Sequence, residues 1–209
     1  MKKHELIEII FDITYLTFAI FSGIYMLITS NGTNIKELYG LMVLILGLGD
    51  SFHLIPRIFN YITKKDLNKF LGFGKFITSI SMTIFYLLLY EIYKIDTGIT
   101  YYQIIIYTLA IIRILLCLLP QNNWLKNTAN TKMGLYRNIP FVLMAIIIVF
   151  LQFKYPMDTK FKNIPYAIIL SFLFYMPVVL FADKYKFIGS LMLPKTLAYV
   201  WIIIIGFNI

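Results

Sequence analysis

Long apolar runs in this sequence are interrupted by a few side chains able to do chemistry. Asp12, Asp50, His53, Lys75, Arg113, Arg137, Asn138, Asp183 and Lys195 each sit within, or at the edge of, a stretch rich in Ile, Leu, Phe and Val. A charged group is costly to keep in such a stretch, so each is a candidate for function. Asp50 follows Gly47-Leu48-Gly49, where a neighbouring backbone can come close, and it is the carboxylate best suited to an active role. His53 lies one helical turn later on the same face, where its ring could relay a proton or simply cap the helix end. Asp183 is followed by Lys184 and Lys186 and reads equally as a functional or an interfacial residue. Lys195 comes directly after Pro194.

The elements that must position these groups follow from composition. Of 209 residues 60% are hydrophobic and 14% charged, against about 25% charged in an ordinary soluble domain, and the mean hydropathy is +0.79. One soluble core could not hide that much apolar surface, whereas a bilayer-spanning helix needs about 20 apolar residues. The chain therefore reads as all-α: a polytopic integral membrane protein, one bundle of about seven transmembrane helices over residues 1–209. The helices are expected at about Leu6–Thr29, Leu38–Ile55, Phe70–Tyr93, Tyr101–Leu119, Tyr136–Phe153, Ile164–Ala182 and Phe187–Phe207. Pro56-Arg57 should close the second, and Pro120-Gln121-Asn122-Asn123 should break the chain after the fourth. Pro177 and Pro194 fall inside the sixth and seventh.

Other classes drop out. A single cysteine, Cys117, excludes an intrachain disulfide, and two histidines, His4 and His53, supply too few ligands for a Cys/His zinc site. No metal or cofactor is expected. The net charge of +9 does not point to nucleic acid, because the basic residues sit in short loops between apolar runs.

Those loops set an expected orientation. Lys2, Lys3, Arg57, Lys64, Lys65, Lys69, Lys126, Lys132, Arg137, Lys184 and Lys186 share one side, eleven in all, against five (Lys36, Lys94, Lys154, Lys160 and Lys162) on the other. By the positive-inside rule the N-terminus is cytoplasmic and the C-terminus outside. The intramembrane charges then all fall in the cytoplasmic half, and the outer half has little beyond Glu91 and Gln103. This one-sidedness indicates a polar cavity open to the cytoplasm. The alternative is a structural network pairing Asp12 or Asp50 with Lys75, Arg113 or Lys195. Thr78, Ser79, Ser81 and Thr83 read as helix-packing contacts, and Cys117 as buried and inert.

At Gly49-Asp50-Ser51-Phe52-His53-Leu54-Ile55-Pro56-Arg57 the chain resembles the YhhN-like lysoplasmalogenase membrane proteins. Phe70-Leu71-Gly72-Phe73-Gly74-Lys75-Phe76 with Tyr86, and Ala182-Asp183 with a late Tyr199, extend the resemblance. The family has one helix more than is read here, and a histidine where this chain runs Thr78-Ser79-Ile80-Ser81. The resemblance implies a multi-pass protein of a bacterial cell membrane that hydrolyses the vinyl-ether bond of a lysophospholipid-type substrate. Asp50 and Asp183 would be the acid/base pair, since vinyl-ether hydrolysis needs a proton delivered to carbon and a water activated for attack. His53, Lys75, Arg113, Asn138 and Lys195 would bind substrate, the cations holding its phosphate. A non-catalytic lipid- or ligand-binding membrane protein and a small-solute transporter remain the other two readings. Oligomeric state is open.

Overall fold

The computed structural model describes residues 3–126, 130–181 and 184–209, with only the backbone of Lys186. Seven α-helices follow in order: α1 (Lys3–Ile28), α2 (Asn34–Thr63), α3 (Asn68–Thr97), α4 (Gln103–Leu118), α5 (Thr131–Lys154), α6 (Ile164–Phe181) and α7 (Met192–Gly206). No strand occurs among the described residues. Consecutive helices pack as neighbours, and α7 returns to α1 and α2 to close the bundle.

Six helical stretches are long and apolar enough to cross a membrane: α1, α2, α3, α5, Thr159–Phe181 and Phe187–Gly206. The last two include short 3-10 turns ahead of α6 and α7. The fourth helix, expected to run from Tyr101 to Leu119, has 16 residues and so reaches only about 24 Å, short of a hydrocarbon core of about 30 Å. Polarity is arranged inside out. Ile7, Phe21, Ile28, Ile104, Ile111 and Leu173 lie exposed on the outer surface, while Asp12, Thr83, Arg113, Asn138, Gln152 and Ser171 are buried. An apolar exterior of this extent is compatible with a lipid bilayer and unlike the surface of a soluble monomer.

Three expected boundaries are corrected. Pro56 does not close α2, which continues to Thr63. The seventh helix begins at Met192, not Phe187, because Lys186–Leu191 is a 3-10 turn. That puts Pro194 in the first turn of α7, where a missing N–H costs no helical bond. The fifth helix begins at Thr131, capped by Asn130, whose side chain accepts the Met133 N–H.

The continuation of α2 past Pro56 has a physical reason in its partner. Along the antiparallel pair α1–α2, Lys64 bonds Glu5 at 2.7 Å, Tyr61 donates to Glu8 at 2.7 Å, Arg57 chelates Asp12 with a shortest contact of 2.6 Å, and Tyr15 donates to Asp50 at 2.7 Å. The α1 partners are spaced three or four residues apart, so they share one helix face. Pairing at these rungs outweighs the one hydrogen bond Pro56 removes. The carbonyl it frees belongs to Phe52, and α3 lies directly on it: a Cβ added at Gly74 would overlap the Phe52 oxygen and come within 2.6 Å of the His53 Cα.

The tight crossing at Gly74 meets backbone, which cannot swing aside. Gly74→Ala should therefore cost about 1–3 kcal/mol, read as a lower melting temperature in detergent. Gly189→Ala, with nothing within 4 Å of the added carbon, should leave stability unchanged within about 0.5 kcal/mol. The Asp12–Arg57 rung gives a second expectation. The Asp12 side chain is 2% exposed and Arg57 22%, so Asp12→Leu should cost about 3 kcal/mol. The double variant Asp12→Leu/Arg57→Met should recover most of it.

Candidate functional site

One polar cavity opens at the end of the bundle formed by the later part of α2, the start of α3, the end of α4, the start of α5, the end of α6 and the start of α7. Its volume is about 280 Å³. His53, Lys75, Arg113, Asn138 and Lys195 all line it, together with Arg137, Tyr175, Thr78, Ser79 and Phe141. Residues up to 142 positions apart in sequence (His53 to Lys195) thus share one space. None of the described lining residues is acidic.

Arg113 defines the chemistry of this cavity. The residue is 2% exposed, and its Nε and one terminal nitrogen have no hydrogen-bond partner. Its guanidinium stacks 3.3 Å from the centroid of the Phe141 ring. A ring face offers a cation part of what water would, but it neutralises no charge. The expected ion pair with Asp12 or Asp50 is not formed; those carboxylates are held by Arg57 and Tyr15. Burial of an ion without a counter-ion costs several kcal/mol, and none of the described acidic residues pairs with Arg113.

The neighbouring cations are positioned with similar care. Arg137 donates one guanidinium N–H to the Asn122 side chain at 2.7 Å and stacks 4.3 Å over Trp124. Asn122 in turn donates to the Leu116 and Leu119 carbonyls at 2.7 and 2.8 Å, and the Trp124 indole N–H to the Cys117 carbonyl at 2.8 Å. The chain after Pro120 therefore both ends α4 and braces Arg137. Lys195 stands 5.0 Å over Tyr175 and 5.3 Å over Tyr199. Tyr175 donates to the Asn138 side-chain Oδ1 at 2.8 Å, and the Asn138 Nδ2 donates to the Gly134 backbone carbonyl at 2.8 Å. His53 presents a buried Nδ1 with no partner. Thr78, read as a packing contact, does donate across to the Gly49 carbonyl at 3.0 Å.

The two expected catalytic carboxylates fare differently. Asp50 is half-buried; its Oδ2 accepts the Tyr15 hydroxyl, and its Oδ1 accepts no hydrogen bond from the described residues. It is not among the side chains lining the cavity. It lies toward Lys195, whose charge acts on it, and one turn from His53. Asp183 lies outside the described residues. Tyr86 and Tyr199, both part of the family resemblance, bring their hydroxyl oxygens within 3.5 Å in the core.

Beside the cationic cavity, on the same stretch of α5 and α6, runs a second and wholly apolar hollow of about 670 Å³, lined by residues including Val142, Ile146, Phe172, Met176 and Pro177. Phe141 belongs to the polar cavity and stands 5.1 Å, ring to ring, from Phe172 of the apolar one. At the far end of the bundle the polar groups answer one another. Lys94 bonds both Glu91 oxygens, at 3.2 and 2.9 Å, and the Tyr107 hydroxyl at 3.2 Å, and Tyr107 donates to Glu91.

Tyr175 is a lining residue that a reading of sequence passes over, and Arg137 is singled out there only as a charge at the edge of an apolar run. Arg137 looks like the first residue of a helix near an interface, and only the earlier start of α5 turns it inward. Tyr175 is one of 16 tyrosines and carries no local signal. The fold and site define an α-helical bundle with a buried cationic cavity. Compared with known proteins, the chain matches no family model, no curated protein and no solved structure.

Arg113 should carry a stability cost in the empty protein. Arg113→Met is expected to raise the melting temperature of the ligand-free protein, by about 1 kcal/mol or more of added stability. The same variant should abolish any stabilisation by anionic amphiphiles. A variant that melts lower than wild type would show that the guanidinium is a structural prop.

Proposed function

We propose that this chain is a multi-pass membrane protein, N-terminus cytoplasmic and C-terminus outside, that takes up a phosphate-bearing single-chain amphiphile of the lysophospholipid class and hydrolyses its vinyl-ether bond. The observation that carries the reading is the adjacency of a cationic cavity free of described acidic residues and an apolar hollow of about 670 Å³. Lysolipids have that same two-part chemistry. Ligand sites of about 300–1,000 Å³ are the usual scale for small molecules.

In this reading Arg113, Arg137, Lys75 and Lys195 hold the phosphate by charge-assisted hydrogen bonds. His53 and Asn138 meet the rest of the polar headgroup, and the chain lies between α5 and α6. Hydrolysis adds a proton to the β-carbon of the vinyl ether. Water then attacks the oxygen-stabilised α-carbon and loses a proton, and the hemiacetal falls apart to a fatty aldehyde and an alcohol. Atoms balance as one vinyl ether plus one water. Asp50 is the residue assigned to move the proton, held in place by Tyr15, and Asp183 is the second carboxylate that the family resemblance supplies. A second reading is favoured by one observation: Asp50 does not line the cavity. Binding of the same amphiphile without cleavage would need only the cations and the apolar hollow.

The test is release of free aldehyde from a lysoplasmalogen by protein purified in detergent. Wild type should release it, Asp50→Asn should lower the rate by at least about 100-fold, and Tyr15→Phe should lower it less while leaving the melting temperature within a few degrees. No release from folded wild-type protein that the lipid nevertheless stabilises would remove the hydrolase and leave the binding protein.

A further inference from the structure

Resting on that reading of the two spaces as one amphiphile site, we infer that Tyr175 decides which ligands enter it. Its hydrogen bond to Asn138 latches the end of α6 onto α5 and keeps the polar cavity apart from the apolar hollow. A ligand bearing a hydrocarbon chain is seated across both only when that latch lets go. The end of α6 is the partition between the two spaces. Tyr175, Val178 and Val179 line the polar cavity, while Phe172, Met176 and Leu180 line the apolar hollow. A headgroup in one and a chain in the other must run past this turn, and aromatic rings occupy the crossing point. Ring to ring, Phe141 of α5 stands 5.1 Å from Phe172 and 6.3 Å from Tyr175, and those two stand 6.1 Å apart.

The partition is also the part of α6 best able to move. That helix is packed along its first half only: Ile164, Pro165, Ala167, Ile168 and Ser171 are buried, and no residue from 172 to 181 is. Pro177 lacks the N–H that would bond the Leu173 carbonyl, and its ring crowds that carbonyl. The loosened turn therefore runs from Leu173 to Pro177, with Tyr175 inside it. The facing stretch of α5 is firm by contrast. Asn138, Phe141 and Met144 are buried there, and Asn138 Nδ2 is tied to the Gly134 carbonyl at 2.8 Å. Between the firm helix and the loose one the described side chains make a single hydrogen bond, from the Tyr175 hydroxyl to Asn138 Oδ1 at 2.8 Å. A segment with few buried contacts and one polar tie opens at low free energy, and hinged movements of this kind admit and then enclose ligands. The Tyr175 ring has a separate neighbour in Lys195, whose Nζ stands 5.0 Å above it, so removing the hydroxyl alone probes the latch and keeps that contact.

Association rates measured on the full chain in dodecyl maltoside test this, with an ethanolamine lysoplasmalogen and its chainless counterpart, glycerophosphoethanolamine, as probes. Tyr175→Phe should raise the association rate of the lysoplasmalogen by about threefold or more, the scale set by one hydrogen bond. Pro177→Ala, which restores the helical bond, should lower it. The ratio of the lysoplasmalogen rate to that of the chainless probe should move the same way in each variant. Opposite signs from the two variants cannot arise from partial unfolding. Hydrogen exchange of the ligand-free protein adds a readout that needs no ligand: the amides of residues 173–181 should exchange faster in Tyr175→Phe than in wild type, while those of 164–171 keep their rates. Unchanged exchange, or lysoplasmalogen rates that stay fixed or shift only in step with the chainless probe, overturns the latch and leaves the amphiphile reading standing. Failure of folded wild type to bind the lysoplasmalogen overturns both.

Discussion

A guanidinium stacked on a ring, with no acid among the described residues to balance it, is the constraint around which this bundle is arranged. In an apolar interior an ion must be paired, solvated or displaced, and no described carboxylate pairs with Arg113. Everything near it makes sense as a way to keep that charge in place without cancelling it. The carboxylates of the same half-bundle are drawn aside to α1 and α2, where Arg57 and Tyr15 occupy them. Aromatic rings supply the soft partial compensation that a counter-ion would have made complete. The resulting field is concentrated by low-dielectric walls, and a cleft lined with one sign of charge focuses ligands of the other.

The bundle divides into two halves of different character. On one side α1 and α2 are joined by charged and tyrosine rungs, and α3 sits on α2 through close approach of the Ser81 side chain at Gly49 and of backbone at Gly74. On the other, α5 and α6 border a hollow with apolar walls and no side-chain hydrogen bond between them beyond Tyr175 to Asn138. Elements held by few directional bonds open at lower free energy than those held by many. The α5–α6 side is therefore where the bundle should open most readily.

Much of this was legible in the order of residues, and what was not has a physical cause. Helix number and the clustering of His53, Lys75, Arg113, Asn138 and Lys195 at one end follow from apolar run length and alternating direction alone, because depth along a helix can be counted. Which charge pairs with which cannot be counted. Arg57 looked like the residue after a helix end, since proline usually stops a helix; only the run of acids on α1 shows why α2 continues. The fourth helix was legible to within two residues at each end, whereas the 3-10 turn at Lys186–Leu191 reads as helix in the sequence, because Gly189 and Ser190 stand alone between apolar residues and do not by themselves stop one. Whether Asp50 opens onto the cavity depends on side-chain direction to within a few ångströms, which spacing does not carry.

The rungs between α1 and α2 also bear on how such a chain is made. Glu5, Glu8 and Asp12 on the first helix would each burden that helix if it entered a bilayer alone, where a single carboxylate near the middle costs about 3 kcal/mol on insertion scales. Lys64, Tyr61 and Arg57 lie on the very next helix in antiparallel register. If the two helices enter a bilayer together as a hairpin, Lys64 and Arg57 already match Glu5 and Asp12, and Tyr61 already donates to Glu8. Insertion of such a hairpin would be tied to translation, because the first helix gains the last of its partners only once about Lys64 has emerged.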